Sequence, residues 1–140
     1  MNPSSECLKE QRDHGTSVFP CGLYEVFEDT IWSGAKHHWH DEVEIIYFMK
    51  GEYNVNVNME SYFIDQECFF FINSGDLHSI EPLSKSVESA IVFNPCILSF
   101  EHYDMAQTRL LHPLVNKEIQ FPHMLASSHP AFSRIKQEYL

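Results

Sequence analysis

The sequence predicts an all-β domain, built as a sandwich or barrel of short antiparallel strands. In "EYNVNVNM", apolar and polar residues alternate without a break, which is the period of a half-buried strand. Two continuous apolar runs, "EIIYFM" and "CFFFI", have the length of strands and lie next to turn-forming residues. Segments of this kind recur at short, regular spacing, as they do in sandwiches and barrels.

The strands are predicted in the following order. The run "EIIYFM" ends at the turn signal Lys50-Gly51. In the next strand one face carries Tyr53, Val55, Val57 and Met59, and the other carries asparagines. The remaining predicted elements are the turn "NMES", the strand "YFID", the buried strand "CFFFI", the turn "NSGD" and the strand "ESAIVFN".

Beyond residue 100 the pattern changes from strands to helices. "DMAQTRLL" predicts a helix that Pro113 ends. "SSHPAFSRIKQEYL" predicts a second helix, with Pro130 in its first turn and apolar residues at helical spacing. Because this pattern stops at Leu140 without a cap, we expect the chain to be cut from a longer one.

Composition and charge limit the functions that this chain can have. Hydrophobic residues make up 44% of the chain, which is enough for a core. With 9 Lys and Arg against 20 Asp and Glu, the net charge is -11, so we expect this chain alone to repel nucleic acid and anionic membranes. No secretory signal or apolar run of membrane-spanning length is visible. The four scattered cysteines predict reduced thiols in a cytoplasmic protein.

A group of histidines and acids precedes the first apolar run. In "HHWHDEVE", the side chains of His38, His40 and Glu44 project from one face of a regular strand, because the period is two. His78 follows the turn "NSGD", and a hairpin that brings it beside this strand would complete a set of three imidazoles and one carboxylate.

Two kinds of chemistry suit this set. It is a competent group of ligands for Zn, Ni, Mn or Fe(II). Without a metal, it is a dense patch of donors and acceptors for a polyhydroxylated ligand. We favour the metal-free pocket over the metal site, and both over a structural role. In either case a buried Glu44 needs a partner, which is a metal or a protonated histidine.

Three aromatic residues near this set are candidates for the wall of a pocket. Trp39 lies on the opposite parity from its neighbouring histidines, which favours core packing over a ligand contact. Tyr24 and Trp32 precede the motif and either wall the mouth of the pocket or belong to the ordinary core. The histidines without ligand spacing are predicted to lie on the surface or in turns; they are His14, His102, His112, His123 and His129.

The sequence resembles a known family at these residues. The spacing HxH-x3-E-x6-G, formed by His38, His40, Glu44 and Gly51, resembles the first cupin motif. "NSGDLH" resembles the second, with Gly75 and His78 matching and Asn73 in place of a proline. Over residues 18–100 the chain resembles the effector domain of AraC-type transcriptional regulators, through "HDEVEIIYFMKG", "NSGDLHS" and "VFNP".

This resemblance implies a fold and an organisation. The fold is a cupin double-stranded β-helix, or jelly-roll barrel, with short C-terminal helical segments. Residues 1–17 would form a flexible arm, 18–100 the barrel, and 101–140 a connector and the start of a truncated dimerisation helix.

The resemblance also implies a function, in which the barrel binds a small polar effector such as a sugar and is not an enzyme. The binding residues would be His38, His40, Glu44, His78, Trp39, Tyr24 and Trp32. DNA would be bound only by a missing C-terminal domain, and the full-length protein would be a homodimer with no membrane partner.

Two other functions remain open. One is a stand-alone metal-dependent cupin enzyme, a dioxygenase or isomerase, that uses His38, His40, Glu44 and His78. The other is a module that stores or senses a metal. The chain has no nucleophile elbow and no phosphate-binding glycine loop, so its sequence indicates no particular reaction.

Overall fold

The computed structural model describes residues 7–27, 32–99 and 104–140. Within these ranges the chain forms nine strands and two short α-helices. The strands are β1 (Cys21–Val26), β2 (Ala35–His38), β3 (Val43–Lys50), β4 (Tyr53–Val57), β5 (Glu60–Ile64), β6 (Cys68–Ile72), β7 (His78–Pro82), β8 (Val87–Phe93) and β9 (Met124–Ala126). The helices are α1 (His112–Val115) and α2 (Phe132–Tyr139).

The strands form two antiparallel sheets. Their orders are β1-β8-β3-β6-β9 and β2-β7-β4-β5, so neighbours in a sheet are mostly distant in sequence. The prediction of an all-β, cupin-type barrel with short C-terminal helices is confirmed. All four cysteines lie in the described ranges, and none forms a disulfide. No helix in the described part of the chain is long and apolar enough to cross a membrane.

Alternation in β4 decides which of its side chains enter the core. Tyr53, Val55 and Val57 are fully buried, as predicted. Met59 was expected on the same face, and this is wrong, because its side chain is 88% exposed. Asn58 and Met59 have φ angles of 49° and 73° and form the two-residue turn between β4 and β5. Hairpin turns of this length need positive φ, which takes both residues out of the strand.

The strand "CFFFI" is apolar throughout because both of its faces are covered. Phe70 and Ile72 point between the two sheets into the main core. Phe69 and Phe71 lie on the outer face of the five-stranded sheet, where Leu125 of the neighbouring β9 lies beside Phe69 and Phe132 of α2 packs against this cluster. A strand buried on both sides has no polar face to show, so its sequence does not alternate.

The helix predicted before Pro113 does not stop at that residue. A π-helical turn, Gln107–Leu111, runs directly into α1, and Pro113 lies in the first turn of α1. The helix therefore continues past a residue that cannot donate a backbone hydrogen bond, and the wider π-helical turn lies immediately before it. The second predicted helix is present, but Pro130 precedes it and does not lie in its first turn, because Ala131 is the N-cap. The ring of Tyr139 in α2 lies 5.3 Å from that of Phe69, centre to centre.

Candidate functional site

A cavity of about 270 Å³ lies between the two sheets. This is near the lower end of small-molecule sites, which measure roughly 300–1,000 Å³, so it suits a compact ligand. The residues that line it are Glu10, Arg12, His14, Tyr24, Val26, Trp32, Ala35, His38, His40, Glu44, Ile46, His78, Ile80, Glu88, Ala90 and Val92. The list includes six of the seven predicted ligand residues, and Trp39 is the exception.

The four polar residues of the predicted set come together, but not on one strand. His38 ends β2 and pairs directly with His78 of β7 in the four-stranded sheet. The chain then crosses to the other sheet, where Glu44 is the second residue of β3. The expectation of one regular strand from His38 to Glu44 is therefore wrong. The residues converge because the two sheets face each other across the cavity.

The three imidazoles form a tight group at one end of the cavity, which we call the histidine cluster (His38, His40 and His78). One ring nitrogen of each lies within 4.8 Å of those of the other two. The Oε2 atom of Glu44 lies 3.2 Å from His40 Nε2 and 3.5 Å from His78 Nε2. Three imidazole nitrogens beside a carboxylate are a donor set that transition metals accept.

Backbone carbonyls determine the tautomer of each imidazole in the cluster. Every Nδ1 atom lies within hydrogen-bond distance of a carbonyl oxygen, at 2.7 Å for His38 and His78 and 3.0 Å for His40. The carbonyls belong to Lys36, Glu42 and Asp76. Because a carbonyl only accepts, each Nδ1 must carry the proton and donate it. The Nε2 atom of His40 is hydrogen-bonded to Glu44, so those of His38 and His78 remain for a ligand. The Nε2 atom of His78 is buried and makes no hydrogen bond with any described residue.

The electrostatics of the cluster centre on the carboxylate of Glu44. Burial by itself raises the pKa of this group, but the nearby imidazoles of His40 and His78 outweigh it and lower the pKa to about 2. Burial lowers the pKa of His40, whereas its contact with Glu44 gives a net rise. Burial lowers the pKa of His38. Glu44 is therefore ionised at neutral pH, and a metal ion or an imidazolium must balance its charge.

Residues 7–17 contribute Glu10, Arg12 and His14 to the wall of the cavity. The backbone of this segment pairs with Trp39, through hydrogen bonds from Trp39 N–H to Leu8 and from Glu10 N–H to Trp39. His14 is only 7% exposed, so its predicted surface position is wrong. Its Nδ1 lies 2.6 Å from the Tyr24 hydroxyl and its Nε2 lies 2.7 Å from Glu10. No local spacing marked this residue, because its neighbours in space come from the tertiary fold.

The three aromatic candidates occupy different positions in the structure. Tyr24 and Trp32 both line the cavity, and the guanidinium of Arg12 lies 4.4 Å above the ring of Tyr24. Trp39 is half-buried and belongs to neither the cavity wall nor the core. The centre of its ring lies 5.0 Å from the Lys9 ammonium. Contact of Tyr24 or Trp32 with a ligand stays a prediction.

Sequence reasoning missed one buried carboxyl in the cavity, that of Glu88 on β8. Its side chain is 6% exposed, and its Oε2 atom has no hydrogen-bond partner among the described residues. Burial raises its pKa to about 7, with a smaller contribution from the charge of Glu44 and an opposing one from the Tyr53 hydroxyl. Glu88 is therefore partly protonated near neutral pH.

The raised pKa of Glu88 predicts a pH-dependent stability. The folded state binds this proton more tightly than the unfolded state, whose pKa is near 4.5. The stabilisation is therefore complete below about pH 4.5 and is lost as pH rises through about 7. Between pH 4 and 8 the free energy of unfolding of the wild type should fall by roughly 3 kcal/mol because of this group, as measured by urea unfolding. We expect Glu88→Gln to lack this decrease. The control Glu25→Gln, on an exposed position of β1, should follow the wild type; equal pH profiles for all three proteins would contradict the prediction.

Comparisons with known proteins identify a matching family and a similar bacterial protein. The sequence profile of a family described as AraC-like ligand binding domain matches residues 20–133. YdeC, an uncharacterized HTH-type transcriptional regulator of Bacillus subtilis (strain 168), is 28% identical over 124 residues. These residues are 88% of this chain and 39% of YdeC, so the chain spans about two fifths of that relative's length.

Solved structures with a similar barrel include KdgF from Halomonas sp. and a predicted oxalate decarboxylase from Thermotoga maritima. The first has a TM-score of 0.41 at 16% identity and covers 53% of this chain and 66% of its own. The second has a TM-score of 0.40 at 25% identity and covers 53% of this chain and 64% of its own. Neither likeness bears on the ligand of this chain.

Proposed function

This chain belongs to the family of AraC-like ligand binding domains, and from that premise we propose that it is the effector-sensing part of a transcriptional regulator. The effector would be a small polar molecule bound in the cavity between the sheets. The observation that carries this proposal is the histidine cluster, whose three imidazoles line the cavity while backbone carbonyls hold their Nδ1 atoms. Imidazoles oriented in this way are prepared for a ligand, and the buried Nε2 atom of His78 makes no hydrogen bond with any described residue.

The rest of the regulator would supply the contact with DNA. The acidic charge of this chain does not suit a DNA-binding surface, whereas its relative YdeC is described as an HTH-type regulator and is much longer. We place DNA binding in a part of the protein outside this chain. The protein would act as a homodimer in the cytoplasm, where a regulator of transcription meets DNA.

A second proposal concerns a metal ion. Three imidazoles with their Nδ1 protons donated elsewhere, beside an ionised and buried Glu44, fit a divalent transition metal such as Zn, Ni, Mn or Fe. Such an ion would balance the charge of Glu44 and offer a coordination position to an oxygen or nitrogen of the effector. The same site would serve the alternative, a metal-dependent enzyme, but the described residues show no further group that points to a reaction.

The turn between β6 and β7 offers a route from the cavity to the C-terminal segment. Asn73, at the position where the second cupin motif has proline, exchanges two hydrogen bonds with the backbone of Phe121, at 2.8 Å and 3.0 Å. Asp76, whose carbonyl holds His78, lies 3.3 Å from His123. Ligand contact at His78 would act on the residues that lead into β9 and α2. An effector shifts this equilibrium only through different affinities for two states of the turn.

The experiment that tests the sensor proposal is a thermal-unfolding screen of this chain against small polar metabolites. We expect an effector at about 100 times its Kd to stabilise the fold by roughly 2.7 kcal/mol, because only the folded state binds it. His38→Ala should remove this shift, since His38 lines the cavity and is not fully buried. His37→Ala is the matched control, because this neighbouring side chain is exposed and does not line the cavity.

Two outcomes would contradict the sensor proposal. The first is a screen in which the folded chain is stabilised by none of the metabolites. The second is a ligand that the purified protein converts into a product, which would favour the metal-dependent enzyme instead.

A further inference from the structure

The end of the cavity away from the histidine cluster carries a second set of polar groups. Along the β3–β8 pairing, Glu44 lies opposite Val92 and Phe48 lies opposite Glu88. The carboxyl of Glu88 is therefore attached four residues further along the barrel than Glu44, which is roughly 13 Å of strand. Trp32 belongs to the same end, because it precedes β2, which runs from Ala35 opposite Ile80 towards His38 opposite His78.

Both side chains at this end have polar atoms that the described residues leave without a partner. The Oε2 atom of Glu88 and the Nε1 atom of Trp32 are fully buried, and neither has a hydrogen bond within the described part of the protein. Both residues line the cavity. Buried polar groups are seldom left in this state, because an unmet hydrogen bond costs free energy comparable to the bond itself.

The charges in the cavity show what kind of partner is missing for Glu88. Of the three carboxyl groups that line it, Glu10 is paired with His14 at 2.7 Å and Glu44 with the histidine cluster. Glu88 has the Tyr53 hydroxyl beside it and no cationic side chain within ion-pair distance among the described residues. The remaining cation of the cavity wall, Arg12, lies over the ring of Tyr24.

Much of the wall between the two ends is apolar. The inward-facing side chains of Ile46, Ile80 and Ala90 line this stretch on β3, β7 and β8, and Tyr24 of β1 lies opposite Ala90. A ligand that touches both ends must therefore pass these three hydrocarbon side chains. A polyhydroxylated ligand would leave hydroxyl groups unpaired against them, whereas a short methylene chain would not.

We propose that Glu88 anchors a subsite for an amino group, so that the effector is a compact molecule with an ammonium group at one end, a short apolar middle and a polar group for the histidine cluster at the other. This inference rests on the proposed sensor function and narrows its ligand class. An ammonium group would donate to Glu88. The Nε1–H of Trp32 is itself a donor, so Trp32 lines this end of the cavity without pairing with the ammonium.

The subsite is tested with two series of probes measured by calorimetry on the whole chain. One series is the ω-amino carboxylates from 3-aminopropanoate to 6-aminohexanoate, and the other is the unsubstituted alkanoates of the same lengths. We expect the best amino probe to bind roughly tenfold or more tightly than its alkanoate counterpart, as for a buried hydrogen bond to a charged group. Glu88→Gln should reduce this ratio to about one.

The control is Glu25→Gln, which makes the same charge change at an exposed position and should keep the wild-type ratio. If the wild type binds amino probes and alkanoates equally tightly, the inference is overturned, because water alone would then fill the Glu88 end of the cavity. This result does not depend on the folding of any variant. A ratio that Glu88→Gln leaves intact would also overturn it, as would tighter binding of ω-hydroxy carboxylates than of the amino series.

The sensor proposal and this inference can fail separately. If the metabolite screen finds an effector without an amino group, and the amino probes do not bind, the sensor function stands and the subsite assignment falls. If the folded protein binds neither metabolites nor probes, both are wrong.

Discussion

His78→Ala is expected to abolish metal binding by the purified chain. On the metal proposal, the wild type contains about one transition-metal ion per chain, held by the histidine cluster and Glu44. His78 is fully buried, and its Nε2 atom lies 3.5 Å from Glu44 Oε2 without a hydrogen bond to any described residue. Removing this imidazole takes away one of three nitrogen ligands. It also removes one of the groups that stabilise the negative charge of Glu44. Elemental analysis by mass spectrometry, after dialysis against a weak chelator, measures the metal content of both proteins.

His37→Ala is the control for this experiment, because it removes a neighbouring imidazole whose side chain does not line the cavity. It should retain the wild-type metal content. A wild-type chain that contains no metal and still binds an effector would exclude the metal. In that case an imidazolium, in first place that of His40 with its raised pKa, balances Glu44.

Gly34→Ala is expected to destabilise the fold by about 3 kcal/mol or more. Gly34 has a φ angle of +80°, and a Cβ atom there would lie 2.3 Å from the carbonyl oxygen of Ile80. The substitution therefore adds a clash with the backbone of β7 to the usual cost of a left-handed residue, which is about 1–2 kcal/mol. Because β2 and β7 carry His38 and His78, the same change should weaken binding at the histidine cluster. Urea unfolding measures the loss.

Gly75→Ala separates the cost of the left-handed backbone conformation from the cost of the steric clash. Its φ angle is +84°, close to that of Gly34, but the nearest atom to an added Cβ is the Lys117 ammonium nitrogen at 3.8 Å. We expect this variant to lose only the left-handed cost of about 1–2 kcal/mol. Equal losses in the two variants would contradict the role given to the contact between Gly34 and Ile80.

Several features of this protein are determined by its sequence alone. The strands β3, β4, β6 and β8, the turn before His78 and the helix α2 all follow from patterns within a few residues. Such patterns are readable because the burial of one face, or of both, imposes its own period on the chain. The residues of the predicted polar set were also readable, because their spacing matches a known motif.

The tertiary structure alone decided how those residues meet. Between His38 and Glu44 the chain leaves one sheet and enters the other, so their proximity comes from the packing of two sheets and not from one strand. His14 and Glu88 show the same limit, since neither has a distinctive neighbour in sequence, yet both line the cavity. A short stretch of sequence shows which face of a strand or helix is buried. The residues that meet across a barrel depend on pairings between distant strands, and such pairings leave no periodic pattern in the sequence.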